Sequence, residues 1–318
     1  MPNLKDIRNR IKSVKSTEKI TQAMKMVAAA KVKRAENRMK ASRPYALAIS
    51  EVMTKVYNEL KNSNHAKALS GSRYAELLAP RPVKRVGLLV ISSDRGLCGS
   101  YNANVIKQAF RLEKSILAQG LTPKFYLVGN KAIQAFRRYS ESPVLGELGN
   151  VTAAPSIHDA NAIAEALTQA FLNDEIDTME VLSTDFISMI SYRVHMTSLV
   201  PVKGKLPEHE PRIDPSQGYV HEHIETDKNT GLRPELLLEP DPVATLDKLL
   251  PMYLGSLIYT LMLEASASEL AARMSSMSNA TKNAKEMIGK LTVVYNKARQ
   301  ASITQEILEV VSGAQALG

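Results

Sequence analysis

The residues best suited to chemistry lie in one loop, residues 93–100 (SDRGLCGS), directly after an apolar run that is typical of a β-strand. In α/β proteins, ligands bind at such loops, at the carboxyl ends of the strands. The loop is not a G-x-G-x-x-G sequence, and the chain has no G-x-x-x-x-G-K-[ST], so we predict no phosphate-binding loop and no cofactor. Cys98 has no histidine near it in the sequence to activate its thiol. We therefore interpret Cys98 as a small residue packed in a tight turn.

A second group of residues has the composition of a metal site. His209, His221 and His223 lie among glutamates in a proline-rich, hydrophilic stretch from about residue 204 to residue 240. Imidazole and carboxylate groups are zinc ligands, but no spacing in this stretch fixes a tetrahedral site. The prolines favour a solvated surface loop. We therefore predict no metal site.

The segments that would position the loop at residues 93–100 alternate between strand and helix. We predict strands at residues 85–92, 124–129, 179–184 and 186–202, and helices at residues 102–119, 131–139 and 157–172. This alternation is typical of a mainly parallel sheet with helices on its faces. The middle of the chain, about residues 80–250, is therefore predicted to be a Rossmann-like α/β domain.

Both ends of the chain are predicted to be long helices. The first covers residues 3–60, with Asn3 as its N-cap, and the second covers residues 257–317 and would be roughly 90 Å long. On the second helix, small and apolar residues recur in alternating steps of three and four: Met277, Ala280, Ala284, Met287, Leu291, Val294, Ala298 and Ala301. On the first helix, the apolar positions are Leu4, Ile7, Ile11, Val14, Ile20, Met24 and Val27. Together these patterns predict an antiparallel coiled coil of the two terminal helices.

Two features of the first helix predict irregularities. Thr17 and Glu18 interrupt the heptad phase, so the coil is predicted to be irregular there. Pro44 predicts a kink or a break near Arg43.

Positive charge is concentrated in the first helix. Residues 1–43 hold thirteen Lys and Arg and three acids, a net charge of +10, whereas the whole chain carries +9. Such a surface indicates an acidic partner: nucleic acid, anionic lipid or acidic loops of a protein. Aromatic residues make up only 5% of the chain and Trp is absent, which disfavours binding of nucleic acid by base stacking.

The composition also bounds the class of protein. A single cysteine excludes an internal disulfide and fits a reducing compartment. The sequence has no run of 18 apolar residues and no apolar signal-peptide core, so we expect neither a transmembrane helix nor a signal peptide.

Four motifs, spread over effectively the whole chain, carry a family resemblance. They are residues 19–28 (KITQAMKMVA), 94–99 (DRGLCG), 239–242 (EPDP) and 295–306 (YNKARQASITQE). In these motifs the chain resembles the gamma subunits of F-type ATP synthases. The last motif is the most specific of the four.

The resemblance implies a rotary function. The terminal helices would form a shaft inside a ring of alternating alpha and beta subunits, and the sheet domain would lie below the ring, near the epsilon subunit and the c-ring. Proton flow would turn the c-ring and the shaft, which forces each catalytic beta subunit through open and closed states. The chain itself would carry torque and catalyse nothing. It would be a peripheral membrane protein on the cytoplasmic side of the bacterial plasma membrane.

The resemblance also assigns roles to particular residues. Met24 and Lys25 match the position where the shaft meets an acidic lever of the beta subunit, and Arg273 matches a basic shaft position linked to coupling. Arg299, Gln300 and Thr304 match a contact between the upper C-terminal helix and a beta-subunit loop. The motif after the first strand contributes Asp94, Arg95, Gly96, Cys98 and Gly99.

The resemblance divides the chain into a shaft helix at residues 1–60, an α/β domain at 80–250 with an extended loop at about 204–238, and a shaft helix at 251–318. The chloroplast proteins of this family have a redox-active cysteine pair in the extended region, and this chain has none there. Two functions of other classes stay open. A basic coiled-coil protein that binds nucleic acid, or is merely structural, would explain the basic helix, and binding to nucleic acid would depend steeply on salt. An α/β enzyme that uses nucleotides would explain the sheet but would need a phosphate loop.

Overall fold

The computed structural model describes residues 4–62, 73–79, 81–202 and 242–315. Asn3 and the histidine-rich stretch at residues 204–240 lie outside these residues. The helices are α1 (Leu4–Asn62), a 3-10 helix (Arg73–Leu78), α2 (Tyr101–Ala118), α3 (Asn130–Tyr139), α4 (Ile157–Leu172) and α5 (Pro242–Gln315). The strands are β1 (Arg85–Ile91), β2 (Thr122–Val128), β3 (Val144–Leu148), β4 (Thr178–Ser188) and β5 (Ser191–Val200).

The five strands form one sheet in the order β3-β2-β1-β4-β5. Strands β1 to β4 run parallel to one another, and β5 pairs with β4 in the antiparallel sense. The predicted mainly parallel sheet is therefore confirmed. The central strand β1 (RVGLLVI) is buried at six of its seven positions, because helices cover both faces of the sheet.

The sheet differs from the prediction in two places. Strand β3 was not predicted, because it is a short edge strand in which no residue is fully buried and Gly146 weakens the β pattern. The turn between β4 and β5 lies at Met189 and Ile190 rather than at Asp185. Asp185 stays inside β4 because it is nearly buried and pairs with His195 and Arg193 across the hairpin.

Two cores hold the sheet, and the terminal helices belong to one of them. Helices α2 and α3 pack on one face around Tyr101, Phe125 and Phe136. Helix α4, the second half of α1 and the first part of α5 pack on the other face, where α1 contributes Ile49 and Met53. The paired helices are therefore held to the sheet domain by apolar packing in a shared core.

Helices α1 and α5 pair along their lengths in the antiparallel sense, which confirms the predicted coiled coil. Contacts join Arg8 to Tyr295, Glu18 to Lys285, and Thr21 to Thr281, so the numbers of facing residues add up to about 303. Further along the chain, Val32 and Ala35 pack against Ala267, Leu270 and Ala271.

The contact line on α1 is more regular than predicted. Its less exposed residues recur every seven positions in two series. The first series is Ile7, Val14, Thr21, Ala28, Ala35, Ser42, Ile49 and Val56. The second is Leu4, Ile11, Glu18, Val32, Met39, Ala46 and Met53, in which Met24 replaces the expected residue 25. The predicted irregularity at Thr17 and Glu18 is wrong, because Glu18 itself occupies a contact position and faces Lys285. Ile20 and Val27, predicted to lie on this line, are 57% and 56% exposed.

Four of the eight positions predicted for the contact line on α5 are correct. Met277, Ala284, Leu291 and Ala298 lie on it, Ala280 is half-buried beside it, and the exposed Met287, Val294 and Ala301 do not lie on it. Their next neighbours Ile288, Tyr295 and Ser302 take their places, and the buried Thr281 precedes them at the same heptad position. Apolar character misled the prediction because polar Thr281 and Tyr295 make the contacts with α1.

Neither proline interrupts the long helices. Pro44 is exposed and lies inside the continuous helix α1, so the predicted break near Arg43 is absent. Helix α5 starts at Pro242, earlier than predicted, and contains Pro251. Its 74 residues span roughly 110 Å.

One stretch of α5 is long and apolar enough to cross a membrane, with a mean hydropathy of 1.2, but 72% of it is buried inside the protein. Residues 257–271 of this helix pack in the cores described above. Core packing therefore accounts for its apolar character.

Candidate functional site

The loop between β1 and α2, residues 92–100, is organised around Asp94. The two carboxylate oxygens of Asp94 accept hydrogen bonds from the backbone N–H groups of Asn130, Asn150 and Thr152, at 3.1, 2.7 and 2.9 Å, and from the Thr152 hydroxyl at 2.7 Å. Burial opposes ionisation, but these hydrogen bonds hold the pKa of Asp94 below its ordinary value. Asn130 is the first residue of α3, so an internal carboxylate occupies a helix N-terminus at the carboxyl edge of the sheet, where this class of fold binds anionic ligands.

A second contact fills the crevice between β1 and β4, where the strand order reverses. The hydroxyl of Tyr101, at the start of α2, lies 3.1 Å from the Thr184 hydroxyl of β4 and donates to the carbonyl of Ala265 of α5 at 3.1 Å. Helix α5 therefore lies across the point at which open α/β sheets bind ligands. The geometry disfavours a nucleotide-using enzyme, since this chain fills that crevice with its own residues.

Cys98 is a buried member of the same loop. Asn102 donates to its sulfur at 3.1 Å, and the thiol lies 3.8 Å from the carbonyl of Arg95. Burial, together with the nearby charge of Glu269, raises the pKa of Cys98. The thiol therefore stays protonated near neutral pH and is a poor nucleophile, as expected for a packing residue.

The other residues of the motif shape the loop. Gly99 has a φ of +60°, in the left-handed region that favours glycine, and the side chain that it lacks would point at Ser276 of α5. Arg95 and Gly96 are exposed, and the carbonyl of Gly96 accepts a hydrogen bond from Arg273 of α5 at 3.2 Å. The structure thus brings Arg273 to the DRGLCG motif, which the sequence did not predict.

Met24 and Lys25 lie on the coiled coil, close to the level of Arg273. Met24 is half-buried and Lys25 is exposed. By the pairing of facing residues, Met24 lies opposite about residue 279 of α5, six residues or roughly 9 Å along the helix from Arg273. One section of the paired helices therefore carries all three residues.

Arg299, Gln300 and Thr304 form a separate group near the far end of α5. They lie 26 or more residues beyond Arg273, which is roughly 39 Å along the helix. All three side chains are exposed, and the Thr304 hydroxyl donates to the carbonyl of Gln300 at 2.9 Å. They do not contact the Met24 and Arg273 section.

Beyond Arg299, α5 continues past the first described residue of α1. Within the described residues the last turns of α5 are therefore a single helix, and their apolar side chains are exposed: Ile303, Ile307, Leu308, Val310 and Val311. We call residues 300–315 of α5 the tip. A contiguous exposed apolar surface of this kind indicates a binding surface for another molecule.

The basic residues of α1 form a second exposed surface. All thirteen Lys and Arg in residues 1–43 are exposed, although Arg8 also reaches across to Tyr295 of α5. This surface therefore presents a high density of positive charge to solvent, where an acidic partner could bind.

Glu269 was missed at the sequence level. It is buried one turn before Arg273 on α5, and its carboxylate forms an ion pair with that residue. The only signal in the sequence is the i, i+4 spacing, which is usual for an exposed pair. Among the described residues, no group of three or more His, Cys, Asp or Glu could hold a metal ion.

Comparisons with known proteins agree with the resemblance. The family model described as ATP synthase matches residues 3–317. The chain is 44% identical to the ATP synthase gamma chain of Nostoc punctiforme and 43% identical to that of Synechococcus sp. strain PCC 6716, in each case over 100% of both chains.

Solved structures show the same fold. A chain of the Euglena gracilis mitochondrial ATP synthase (OSCP/F1/c-ring, rotational state 3) matches with a TM-score of 0.64 and 18% identity over 99% of this chain and 94% of that one. A chain of the Tetrahymena thermophila mitochondrial ATP synthase (central stalk/c-ring) matches with a TM-score of 0.57 and 24% identity over 82% of this chain and 99% of that one.

Proposed function

The chain belongs to the family of ATP synthase gamma chains, and from this membership we propose that it is the central rotor shaft of a proton-translocating ATP synthase. On this proposal it couples rotation of a c-ring to conformational cycling of catalytic beta subunits and catalyses no reaction itself. Its partners are a ring of three alpha and three beta subunits, an epsilon subunit and the c-ring. It acts as a peripheral membrane protein on the cytoplasmic side of a bacterial plasma membrane.

The observation that carries the proposal is how the two long helices pair with each other and pack into the sheet domain. Torque needs a stiff element, and two helices joined along a continuous contact line and anchored in the sheet core provide one. The tip offers exposed apolar residues that a surrounding ring would cover. The exposed basic face of α1 would meet acidic loops at the base of the ring.

The proposal assigns the residues to three parts. The helix at residues 1–60 and the helix at 251–318 form the shaft, and residues 80–250 form the domain that faces the c-ring. Met24, Lys25 and Arg273 form a lower contact with the ring, and Arg299, Gln300 and Thr304 form an upper one. Asp94, Arg95, Gly96, Cys98 and Gly99 fix the domain to the shaft, supported by the hydrogen bond from Arg273 to Gly96.

A rotation assay tests the proposal directly. The chain with Lys107→Cys, an exposed site on α2, is co-expressed with alpha and beta subunits, and the ring is fixed to a surface through beta. The natural Cys98 is buried, so a bead can be attached selectively at position 107. We expect one copy of the chain per three beta subunits and rotation of the bead when ATP is added.

The control is the same assembly without ATP, in which the bead should only fluctuate. An assembly that hydrolyses ATP while a bead on this chain stays still would contradict the proposal. So would an active ring that contains no copy of the chain. A nucleic-acid-binding function is not supported by the family or by any motif of the chain.

A further inference from the structure

The sheet face that packs against α2 and α3 continues over the edge strand β5. Strand β5 is the last of the described sheet, and its Met196 pairs with Leu182 of β4, so the two side chains share one face. Leu182 is buried in the core under α2 and α3, whereas Met196 is 51% exposed. In the described part of the chain, the two helices on this face therefore stop short of its fifth strand.

A groove lies between α2 and this uncovered strand. Its volume is about 590 Å³, and its strand side is lined by Tyr192 and Val194 of β5 and by Ile190 of the turn before it. Asn104 of α2 donates to the Tyr192 hydroxyl at 3.0 Å, and the Tyr192 ring lies 5.3 Å from the ring of the buried Tyr101, centroid to centroid. These contacts hold Tyr192 in place, so this side of the groove is preformed.

The rim of the groove is apolar and exposed. Met189 and Ile190, in the turn between β4 and β5, are both exposed, and Ile190 reaches 84%. Met196 extends the apolar surface along β5. Large apolar side chains that share one exposed surface indicate a binding site for another protein.

The helix side of the groove is basic. Lys107 and Arg111 line it, and Lys114 continues the row, so the three exposed cations follow one another on α2 at steps of four and three. The described residues that line the groove include no carboxylate, and none in the described part of the chain forms an ion pair with these cations. A bound partner with acidic residues would therefore complement this charge.

Shape and spacing favour a helix as the occupant. The groove lies beside the 18-residue helix α2 and over the one strand that α2 and α3 leave uncovered, where a further helix of this layer would pack. Acidic residues at steps of four and three on such a helix would face the three cations, and its apolar stripe would cover Ile190 and Met196. An added strand would instead pair with the backbone edge of β5 and leave the groove open.

We propose that the groove between α2 and β5 binds one amphipathic helix of a partner protein, with the apolar stripe of that helix on β5 and a row of its carboxylates against Lys107, Arg111 and Lys114. The groove lies on the face of the sheet opposite to α4 and the second half of α1. The proposal concerns a surface of this chain alone, so it does not depend on the proposed function.

Fluorescence anisotropy with defined peptides tests the proposal. The probe is a fluorescein-labelled peptide as long as α2, 18 residues, with leucines in alternating steps of three and four and glutamates at the same steps along one flank. It is titrated at low salt with the full chain, at a dilution where light scattering shows a monomer. We expect it to bind roughly tenfold more tightly than the same peptide with lysines for glutamates, because several weak ion pairs become repulsions. A third peptide, with a central proline that breaks the helix, should bind weakly.

Variants of the chain locate the binding. Lys107→Glu with Arg111→Glu should reverse the preference, so that the lysine peptide binds more tightly, and Ile190→Asp should weaken the binding of both. The double variant Lys15→Glu with Lys19→Glu is the matched control, because it makes the same change in charge at the same spacing on an exposed face of α1. It should keep the preference for the acidic peptide.

Equal affinity for the acidic and the lysine peptides would overturn the proposal, as would unchanged preference in the variant with two glutamates on α2. Equal binding of the proline peptide would overturn it in favour of an extended segment. Loss of self-association in Ile190→Asp would overturn it in favour of a second copy of this chain. Replacement of residues 307, 308 and 310 by Gln should leave binding of the acidic peptide unchanged, and loss of binding there would place the peptide on the tip instead.

Discussion

The hydroxyl groups of Thr21 on α1 and Thr281 on α5 lie 2.8 Å apart in the contact line of the coiled coil, where both residues are buried. Thr21 donates to the carbonyl of Glu18, and Thr281 is also within hydrogen-bond distance of the carbonyl of Met277, so both hydroxyls have partners in their own helices. A buried polar pair thus lies in a contact line that is mainly small and apolar. In coiled coils such pairs specify register at a cost in stability.

This pair gives a double-mutant cycle. Valine has the shape of threonine without its hydroxyl, so Thr21→Val or Thr281→Val alone removes one partner and should lower the free energy of unfolding by about 0.5–1.5 kcal/mol. Replacing both should cost less than the sum of the two, because the bond between the two hydroxyls can be lost only once. Urea unfolding of the full chain, followed by circular dichroism, measures the effect. Additive losses would show that the two hydroxyls do not interact.

Asp94 should hold the carboxyl edge of the sheet together. In Asp94→Asn the amide presents an N–H group to N–H and O–H donors, so we expect a loss of about 1–3 kcal/mol in the free energy of unfolding at pH 7. Because the pKa of Asp94 is lowered in the fold, its contribution is present above its ordinary pKa and is lost as pH falls through the lowered value.

The measurement is urea unfolding of wild type and Asp94→Asn from pH 7 down to pH 3, and the difference between them should shrink in the acid range. Asp6→Asn, at an exposed site near the start of α1, is the control and should change stability by less than about 0.5 kcal/mol. A pH-independent difference would mean that the carboxylate charge of Asp94 is not what the loop uses.

How far the sequence could predict this fold depends on whether a pattern is local. Helix α4 was predicted with its observed ends, and the structure shows a local signal at its start, a capping box formed by Ser156 and Asp159. The seven-residue repeat of the coiled coil was also predictable. Whether Met287 and Val294 face α1 was not predictable, because these two residues are apolar and yet exposed.

The candidate site divides in the same way. Asp94 and Gly99 could be singled out from their motif and Arg273 from the family resemblance, but the ion pair of Arg273 with Glu269 could not. A Glu and an Arg four residues apart usually make an exposed pair, whereas here Glu269 is buried and Arg273 also donates to a loop carbonyl 177 residues earlier in the chain. Long-range burial of that kind has no signal in local spacing.

The tip should make the isolated chain associate with itself. Ile307, Leu308 and Val310 are 57%, 60% and 72% exposed. We expect the triple replacement of these residues by Gln to raise the monomer fraction in analytical ultracentrifugation. Leu117→Gln removes a single exposed leucine of α2 outside this surface and should have little effect. Equal self-association of the triple variant and the wild type would show that the tip is not the surface through which the chain associates with itself.

Met24 tests the lower contact with the ring. Met24→Lys adds a cation beside Lys25, where the proposed function places acidic groups of a beta subunit. A partly desolvated ion pair there could stabilise one rotary position by about 1 kcal/mol or more. We expect the assembled variant to hydrolyse ATP but to pump protons poorly, measured as the ratio of pumping to hydrolysis in membrane vesicles.

Met26→Lys is the matched control for this variant, because Met26 is 61% exposed and lies about 200° around the helix from Met24. It should leave the ratio near that of the wild type. Unchanged pumping in Met24→Lys, or equal losses of pumping and hydrolysis, would refute the placement of Met24.

Gln300 and Thr304 test the upper contact. They are one turn apart on the same face of α5 and fully available to a partner, since the only bond between them joins the Thr304 hydroxyl to the Gln300 carbonyl. If a beta-subunit loop binds them in one of three rotary positions, Gln300→Leu or Thr304→Ala leaves that loop unpaired, at a cost of about 1–3 kcal/mol per buried group. We expect normal assembly, slower steady-state ATP hydrolysis in each variant, and a less than additive loss in the double variant, because the two residues share one partner.

Thr292→Ala is the matched control, because the Thr292 hydroxyl makes the same intrahelical bond, to Ile288, on the two-helix part of α5. If Thr292→Ala slows hydrolysis as much as Thr304→Ala does, the effect comes from the helix and not from a contact at the tip, and wild-type rates in both single variants would show that Gln300 and Thr304 are ordinary helix surface.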